Sequence, residues 1–312
     1  MGGDIRSEHE SKGTAHHHAG RARIADRICG AGCAAECMRR WLSSAIALAL
    51  GIAALTLAPT QAAPTWKVQC NFSDKRFTEI SGMTRSQSFP GVLYVHNDSS
   101  GGPYIYAVDE RTCKTLATLK IDDSRARDYE AIATGRDAKG RAVIWLGDLG
   151  DNLDSWPYVE LLRIREPSAL KSQTLASRTL RVKYPDRPHN AEALLANPTN
   201  LQVWIATKQL AHGSLYSLPN PPKKVNTLTK IQIEDGLITD GAISPQGDRY
   251  VLRTYFDATV YLGLPPGRKQ LSFDLPGQFQ GEAITWTADG KALLIASERD
   301  DRLLRVEIPQ AG

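Results

Sequence analysis

The chain has 312 residues, 42% of them hydrophobic and 23% charged, with a formal net charge of +4. Discounting residues 1–62, which hold seven Lys/Arg against five Asp/Glu, leaves 31 basic against 29 acidic side chains. So small an excess excludes the electrostatic footprint that nucleic-acid binding requires, and the apolar content is enough to bury one sizeable core.

Met38-Arg39-Arg40 opens a basic segment, followed by an uncharged run over 41–57 and then by Ala58-Pro59-Thr60-Gln61-Ala62-Ala63. Basic, apolar and small-residue regions in that order are the mark of a signal peptide, here 38–63, cut after Ala62 or Ala63. The same run is within reach of an uncleaved anchor. A signal ordinarily opens a protein, so residues 1–37 are expected to be a non-native upstream extension. His16-His17-His18, Cys29, Cys33 and Cys37 fall inside it, and their spacing matches no zinc pattern. The expectation is a bacterial protein exported to the periplasm or secreted, clear of the membrane after cleavage, monomeric, with a single domain over 64–312.

Export would leave Cys70 and Cys113 in an oxidising compartment. A structural disulfide between them and two free thiols both stay open from sequence alone, since geometry decides.

A lone strand is expected over 65–72. Five times thereafter a residue, usually acidic, precedes a small and an apolar one: Ser81-Gly82-Met83, Glu130-Ala131-Ile132, Glu192-Ala193-Leu194, Gly241-Ala242-Ile243 and Glu282-Ala283-Ile284. Each copy opens a series of short runs rich in Val, Ile, Leu and Tyr, bounded by turn formers. The first repeat reads as strands over 80–84, 92–96, 104–108 and 116–121, and the second as 130–134, 142–146, 158–165 and 179–184. The third gives 192–195, 202–207, 214–218 and 227–233, and the fourth 241–244, 249–254, 259–262 and 270–275. The fifth supplies three, 282–287, 292–297 and 303–308. Openings lie 49, 62, 49 and 41 residues apart, a variation that belongs in loops. The pattern predicts an all-β propeller of five four-stranded blades, with six the alternative. The lone strand would complete the fifth blade, so that N- and C-terminal strands close the ring and remove an exposed edge.

In such a blade the innermost strand begins on the face where the second strand ends, so both sets of residues crowd one mouth of the central channel. The second strands end in His96-Asn97-Asp98, Gly147-Asp148-Leu149-Gly150-Asp151-Asn152, Lys208-Gln209, Arg253-Thr254-Tyr255 and Ser297-Glu298-Arg299. The openings add Asp128, Glu130, Asn190, Glu192, Thr239, Asp240, Gln280 and Glu282. Carboxylates packed about one axis resist ionisation unless a cation compensates, and calcium accepts six to eight oxygen ligands in flexible geometry. The expected ligands are Glu130, Glu192, Asp240, Glu282 and Asp98, with Asp148 assisting. Equally, these carboxylates would accept hydrogen bonds from backbone N–H groups at strand starts. Lys208 and Arg253 would hold an anionic substrate group or neutralise the acids as ion pairs. Trp145, Trp204 and Trp286 are expected to pack within blades.

Ile80-Ser81-Gly82-Met83, His96-Asn97-Asp98-Ser99, Asp128-Tyr129-Glu130, Gly147-Asp148-Leu149-Gly150-Asp151-Asn152, Ala191-Glu192-Ala193 and Gln280-Gly281-Glu282-Ala283 together resemble secreted bacterial propellers of the phytase-esterase-like and gluconolactonase-like groups. The resemblance spans roughly 66–309. It implies a divalent, calcium-type site on the axis, with Glu130, Glu192, Asp240 and Glu282 as axial acids, and phosphoester, ester or lactone hydrolysis. Ser81 and Gly241 stand where other repeats carry Glu, and five repeats are counted where those groups have six blades.

Two functions follow. One is a metal-dependent hydrolase of a small anionic ester, lactone or phosphoester, with Asp148 or Glu298 as general base and Lys208 and Arg253 on the substrate anion. The other is a non-catalytic propeller that binds a small anionic molecule or an envelope protein around a structural cation.

Overall fold

The computed structural model describes residues 63–232 and 236–310. The upstream extension with its His and Cys cluster, and the signal segment through residue 62, lie outside the described residues.

Strand β1 (Trp66–Asn71) comes first. Blade one is β2 (Ile80–Arg85), β3 (Val92–Asn97), β4 (Tyr104–Asp109) and β5 (Thr115–Ile121); blade two is β6 (Tyr129–Arg136), β7 (Ala142–Asp148), β8 (Val159–Arg165) and β10 (Ser177–Lys183), with β9 (Gln173–Leu175) in the connection between its last two strands. Blade three is β11 (Ala191–Ala196), β12 (Val203–Thr207), β13 (Ser214–Ser217) and β15 (Thr229–Gln232), with β14 (Val225–Thr227) ahead of its last strand. Blade four is β16 (Asp240–Ile243), β17 (Arg249–Arg253), β18 (Asp257–Leu262) and β19 (Arg268–Asp274), and blade five is β20 (Gln280–Trp286), β21 (Ala292–Glu298) and β22 (Asp300–Glu307). The protein is a five-bladed β-propeller.

Closure is made by β1, which pairs antiparallel with β22 (Trp66 opposite Val306, Cys70 opposite Leu303) and becomes the outer strand of blade five. A disulfide joins Cys70 to Cys113, with 5.7 Å between the Cα atoms. It ties the closing strand to the turn between β4 and β5 of blade one. Two further straps were not expected from the sequence. β9 pairs in parallel with β5, and β14 in parallel with β10, so a connection from each of blades two and three covers the outer edge of the blade before it.

The core is divided among five seams, each drawing on two neighbouring blades. Successive residues of a strand point to opposite faces. In blade two, Ile132, Ile144, Leu146 and Ile164 therefore pack against blade one, while Ala131, Val143, Trp145 and Leu161 pack against blade three. Both faces are buried, so these strands read as continuous apolar runs. Trp145, Trp204 and Trp286 are buried within this packing. Side chains shape the hairpins: Asp137 Oδ1 accepts from the Lys139 and Arg141 amides at 2.8 and 3.0 Å, and Asn197 Oδ1 from the Thr199 amide at 2.9 Å.

Candidate functional site

The repeated triplet coincides with a break in strand register. Pairing between the first two strands shifts at Ser81 in blade one, Glu130 in blade two, Glu192 in blade three and Glu282 in blade five. A β-bulge of this kind releases one residue from strict alternation and re-aims its side chain. Blade four has no such shift; Asp240 pairs regularly opposite Arg253 and Gly241 opposite Leu252.

That difference sorts the expected ligands. Asp240 is fully buried, its Oδ1 accepting from the Gly241 amide at 2.7 Å and its Oδ2 from the Ile284 amide at 2.8 Å, so it stitches blade four to blade five and does not join the mouth. Burial drives its pKa well above the ordinary range, against those two amides. Glu130, by contrast, comes together with Asp98 and Asp128, one carboxylate oxygen from each lying within 4.8 Å of the others. Ser81 Oγ donates to Glu130 Oε2 at 3.3 Å. Asp98 sits just past β3 and caps a short turn through the Ser99 amide. The Asp128 carboxyl lies against the backbone of Gly150, where a Cβ would fall 2.0 Å from Oδ2.

Across the mouth, Lys208 Nζ donates to Glu192 Oε1 at 2.6 Å and stands 4.0 Å from Glu282 Oε1. It also lies 4.9 Å from the centre of the Tyr255 ring. Glu282 Oε1 accepts from Gln280 Nε2 at 2.8 Å and from the Tyr255 hydroxyl at 3.4 Å. Glu192 Oε2 is buried with no hydrogen-bond partner. The electrostatics follow from crowding in a poorly solvated place. Burial, then the charge and hydrogen bond of Asp98, push Asp128 up to about 7. Burial pushes Glu192 up to about 8 against the pull of Lys208, and burial with the neighbouring Glu282 carboxyl pushes Glu298 up to about 8. Glu130 is raised well above its usual range by burial and by Glu192, Asp98, Asp128 and Glu282. Burial opposes the charge on Lys208, but Glu192 outweighs it and holds the ammonium form.

The other expected site residues serve the backbone. Asp148 accepts from the Asp128 amide at 2.9 Å and the Arg127 amide at 3.3 Å, which fixes the entry to β6 and occupies both carboxylate oxygens. Arg253 is fully buried; Nη1 donates to the Ala283 carbonyl at 2.9 Å, Nε to the Thr254 carbonyl at 3.1 Å and Nη2 to Gln278 Oε1 at 3.2 Å. Burial pushes its pKa down to about 10. It makes no ion pair with the mouth carboxylates and is walled off from any substrate. Asp151 accepts from the Ser155 and Trp156 amides at 3.0 and 2.7 Å, shaping its own loop. His96 is buried with Nδ1 2.9 Å from the Asn97 carbonyl, and burial pushes it down to about 4. Asp128 belongs to the site although no role was assigned to it from sequence. The signal for it was Asp128-Tyr129-Glu130, two carboxylates on either side of Tyr129 at the opening of the repeat.

No protein-family model matches the sequence, and no curated protein matches it either. Among solved structures, the chain is similar to a structure of the Dos1 propeller, with 11% identity over 74% of this chain and 68% of that one, at a TM-score of 0.39. It is also similar to a chain in a crystal structure of the mitotic checkpoint complex, with 13% identity over 73% of this chain and 61% of that one, at a TM-score of 0.40. The chain thus spans less than two thirds of the second structure's length.

Proposed function

We propose that this is an exported propeller whose channel mouth binds a calcium-type divalent cation and hydrolyses a small anionic ester, lactone or phosphoester there. The observation that carries the reading is the approach of Asp98, Asp128 and Glu130 to within 4.8 Å, with a buried Glu192 oxygen that has no hydrogen-bond partner across the mouth. An all-oxygen set from bulged strands and a loop suits a hard cation that tolerates irregular geometry. When bound, such a cation neutralises the ring and polarises an oxygen of the substrate. Asp98, Asp128 and Glu130 would hold it. Lys208, kept charged by Glu192, would meet the anionic group of the substrate. Glu298, protonated up to about pH 8 beside Glu282, would exchange a proton with the leaving or attacking oxygen. The resemblance to phytase-esterase-like and gluconolactonase-like propellers supports a divalent site, and the Cys70–Cys113 disulfide supports export to an oxidising compartment.

A second reading is a non-catalytic propeller that holds a small anion or an envelope protein around a structural cation. It is favoured by the commitment of Asp148 and Arg253 to backbone partners, which leaves Glu298 and Lys208 as the available chemical groups. Elemental analysis and calcium titration calorimetry on the purified protein, with an ester, lactone and phosphoester panel run with and without chelator, separate these readings. The hydrolase predicts one bound cation, at least tenfold weaker binding in Glu130→Gln, and turnover lost on chelation. A cation without turnover leaves the binding reading; no cation and no calcium-induced rise in Tm removes both.

A further inference from the structure

The outer edges of blades one and two are covered according to one rule. β9 lies against the last three residues of β5, with Leu119 opposite Gln173 and Ile121 opposite Leu175; β14 lies against the last three of β10, with Arg181 opposite Val225 and Lys183 opposite Thr227. Each cover is parallel and comes from the connection ahead of the next blade's outer strand. Each also ends two residues before that strand begins, at Leu175 before Ser177 and at Thr227 before Thr229. Backbone bonds hold them, the Asp122 amide donating to the Leu175 carbonyl and the Arg181 amide to the Lys224 carbonyl, both at 2.9 Å. Leu175 thereby fills the outer end of the seam between blades one and two.

The equivalent connection closes two more seams by other means. Between blades three and four the short β18–β19 turn packs Leu264 against the shared core, and between blades five and one the β4–β5 turn brings Cys113 and its disulfide to β1. The seam between blades four and five has no such piece among the described residues. Its connection would run from β22 to β1, which are the last and first strands in chain order. By the spacing of the other two covers it would end at Pro64, which has no N–H to donate, and neither Ala63 nor Pro64 is in a strand. Apolar surface is left bare there. β1 pairs Trp66 with Val306 and Val68 with Leu304, and directly paired residues share a face of the sheet. Val306 and Leu304 belong to the core between blades four and five, so Trp66 and Val68 extend that core outward, where they are 50% and 44% exposed. Across the seam β19 pairs with β18 on one side and with no strand on the other among the described residues. An outer strand keeps unpaired N–H and C=O groups on its free side, and strand addition at such an edge is a recurrent way of binding an extended peptide. β19 opens with exposed Arg268 and Lys269.

We propose that the edge of β19 binds an extended segment of a second polypeptide, laid parallel along Ser272, Phe273 and Asp274, acidic at its start and apolar at its end. The apolar side chain covers Trp66 and Val68, as Leu175 fills the corresponding seam of blades one and two. The acidic residues run beside Arg268 and Lys269, which gives the segment its direction. This surface is peripheral and asks nothing of the mouth, so its success or failure does not depend on calcium.

The probe is the acetylated, amidated peptide Asp-Glu-Ser-Gln-Thr-Leu-Ala, in which two acids precede the sequence of Ser172–Ala176 around β9. Fluorescence polarisation of a labelled copy gives its affinity for the intact protein, and hydrogen exchange read by mass spectrometry gives its place. The β19 amides are expected to exchange fast in the free protein and to slow when the peptide saturates, with or without chelator. Replacing the peptide's Leu by Asp should weaken binding about tenfold or more, the weight of one buried leucine. Trp66→Ser combined with Val68→Ser should do the same, and Arg268→Glu combined with Lys269→Glu should weaken binding severalfold, less so at high salt. All four replaced side chains are exposed, and circular dichroism of each variant establishes that it is folded. Exchange in β19 unaltered by the peptide, or an affinity indifferent to the Asp peptide and to the folded Trp66 and Val68 variant, overturns the proposal. Slow exchange of β19 in the free protein overturns it too: if independent of protein concentration, the edge belongs to the chain's own upstream segment, and if it grows with concentration, to a second copy.

Discussion

At the scale of single residues, the contrast between Asp240 and Glu130 is one of backbone geometry more than of side-chain type. Both are acids at the start of an innermost strand, and the sequence places them one position apart in the repeat. The register shift at Glu130 sends its carboxylate to the mouth, and the regular pairing at Asp240 sends its own to two amides. Sequence does not reveal this because a bulge adds one residue without a composition of its own. The place of Arg253 is hidden from sequence for a related reason: all but one of its partners, Gln278 Oε1, are backbone carbonyl oxygens, which every residue carries, so little in a side-chain pattern announces them. Its place depends on Gly281, where a Cβ would sit 1.9 Å from Arg253 Nη2. Gly281→Ala is therefore expected to push the guanidinium off the Ala283 carbonyl and to destabilise the fold by about 1–3 kcal/mol, the usual cost of overpacking. Urea denaturation measures it, and an unchanged midpoint would mean the guanidinium has room to spare.

At the scale of elements, all twenty four-stranded-blade positions were legible, because residues such as those of β4 and β7 are apolar on both faces and end at recognisable turns. The straps β9 and β14 were not. Each has three residues, too few to show a period of two, and Val225 in β14 is half exposed. Their reason is visible only once a neighbouring edge is known to need covering. The disulfide belongs to this scale too, since it fastens β1, a strand otherwise held by one partner. Cys70 and Cys113 are 43 positions apart. The chain-entropy relation for a loop of that size gives about 4 kcal/mol of stabilisation. Replacing both cysteines by serine should lower Tm by several degrees and raise proteolysis between β1 and β2 first; loss of stability spread evenly over the blades, seen by hydrogen exchange, would contradict the fastening role.

At the scale of the whole molecule, the acidic mouth is a charge arrangement that the fold tolerates through bound protons or a cation. Asp128, Glu192 and Glu298 hold protons more tightly in the folded chain than in the unfolded one, with folded values of about 7, 8 and 8. The native state therefore binds more protons, and stability falls as pH rises. The contribution is complete below the ordinary carboxyl range and is lost as pH climbs through about 7 to 8. Calorimetry in chelator should show Tm declining between pH 5 and pH 9, and saturating calcium should remove most of the decline; a flat profile in chelator would show that the ring ionises freely. The pairing of β1 with β22 has a consequence in time. Asn71 Nδ2 donates to Asp301 Oδ2 across 230 positions of sequence. At synthesis rates of about 5–20 residues per second, roughly 10–50 s separate the two partners. Throughout that interval β1 waits beside a growing row of blades with no strand to receive it. The joint that holds the ring shut is thus among the last contacts the chain is able to make, and every finished molecule passes first through an open arc.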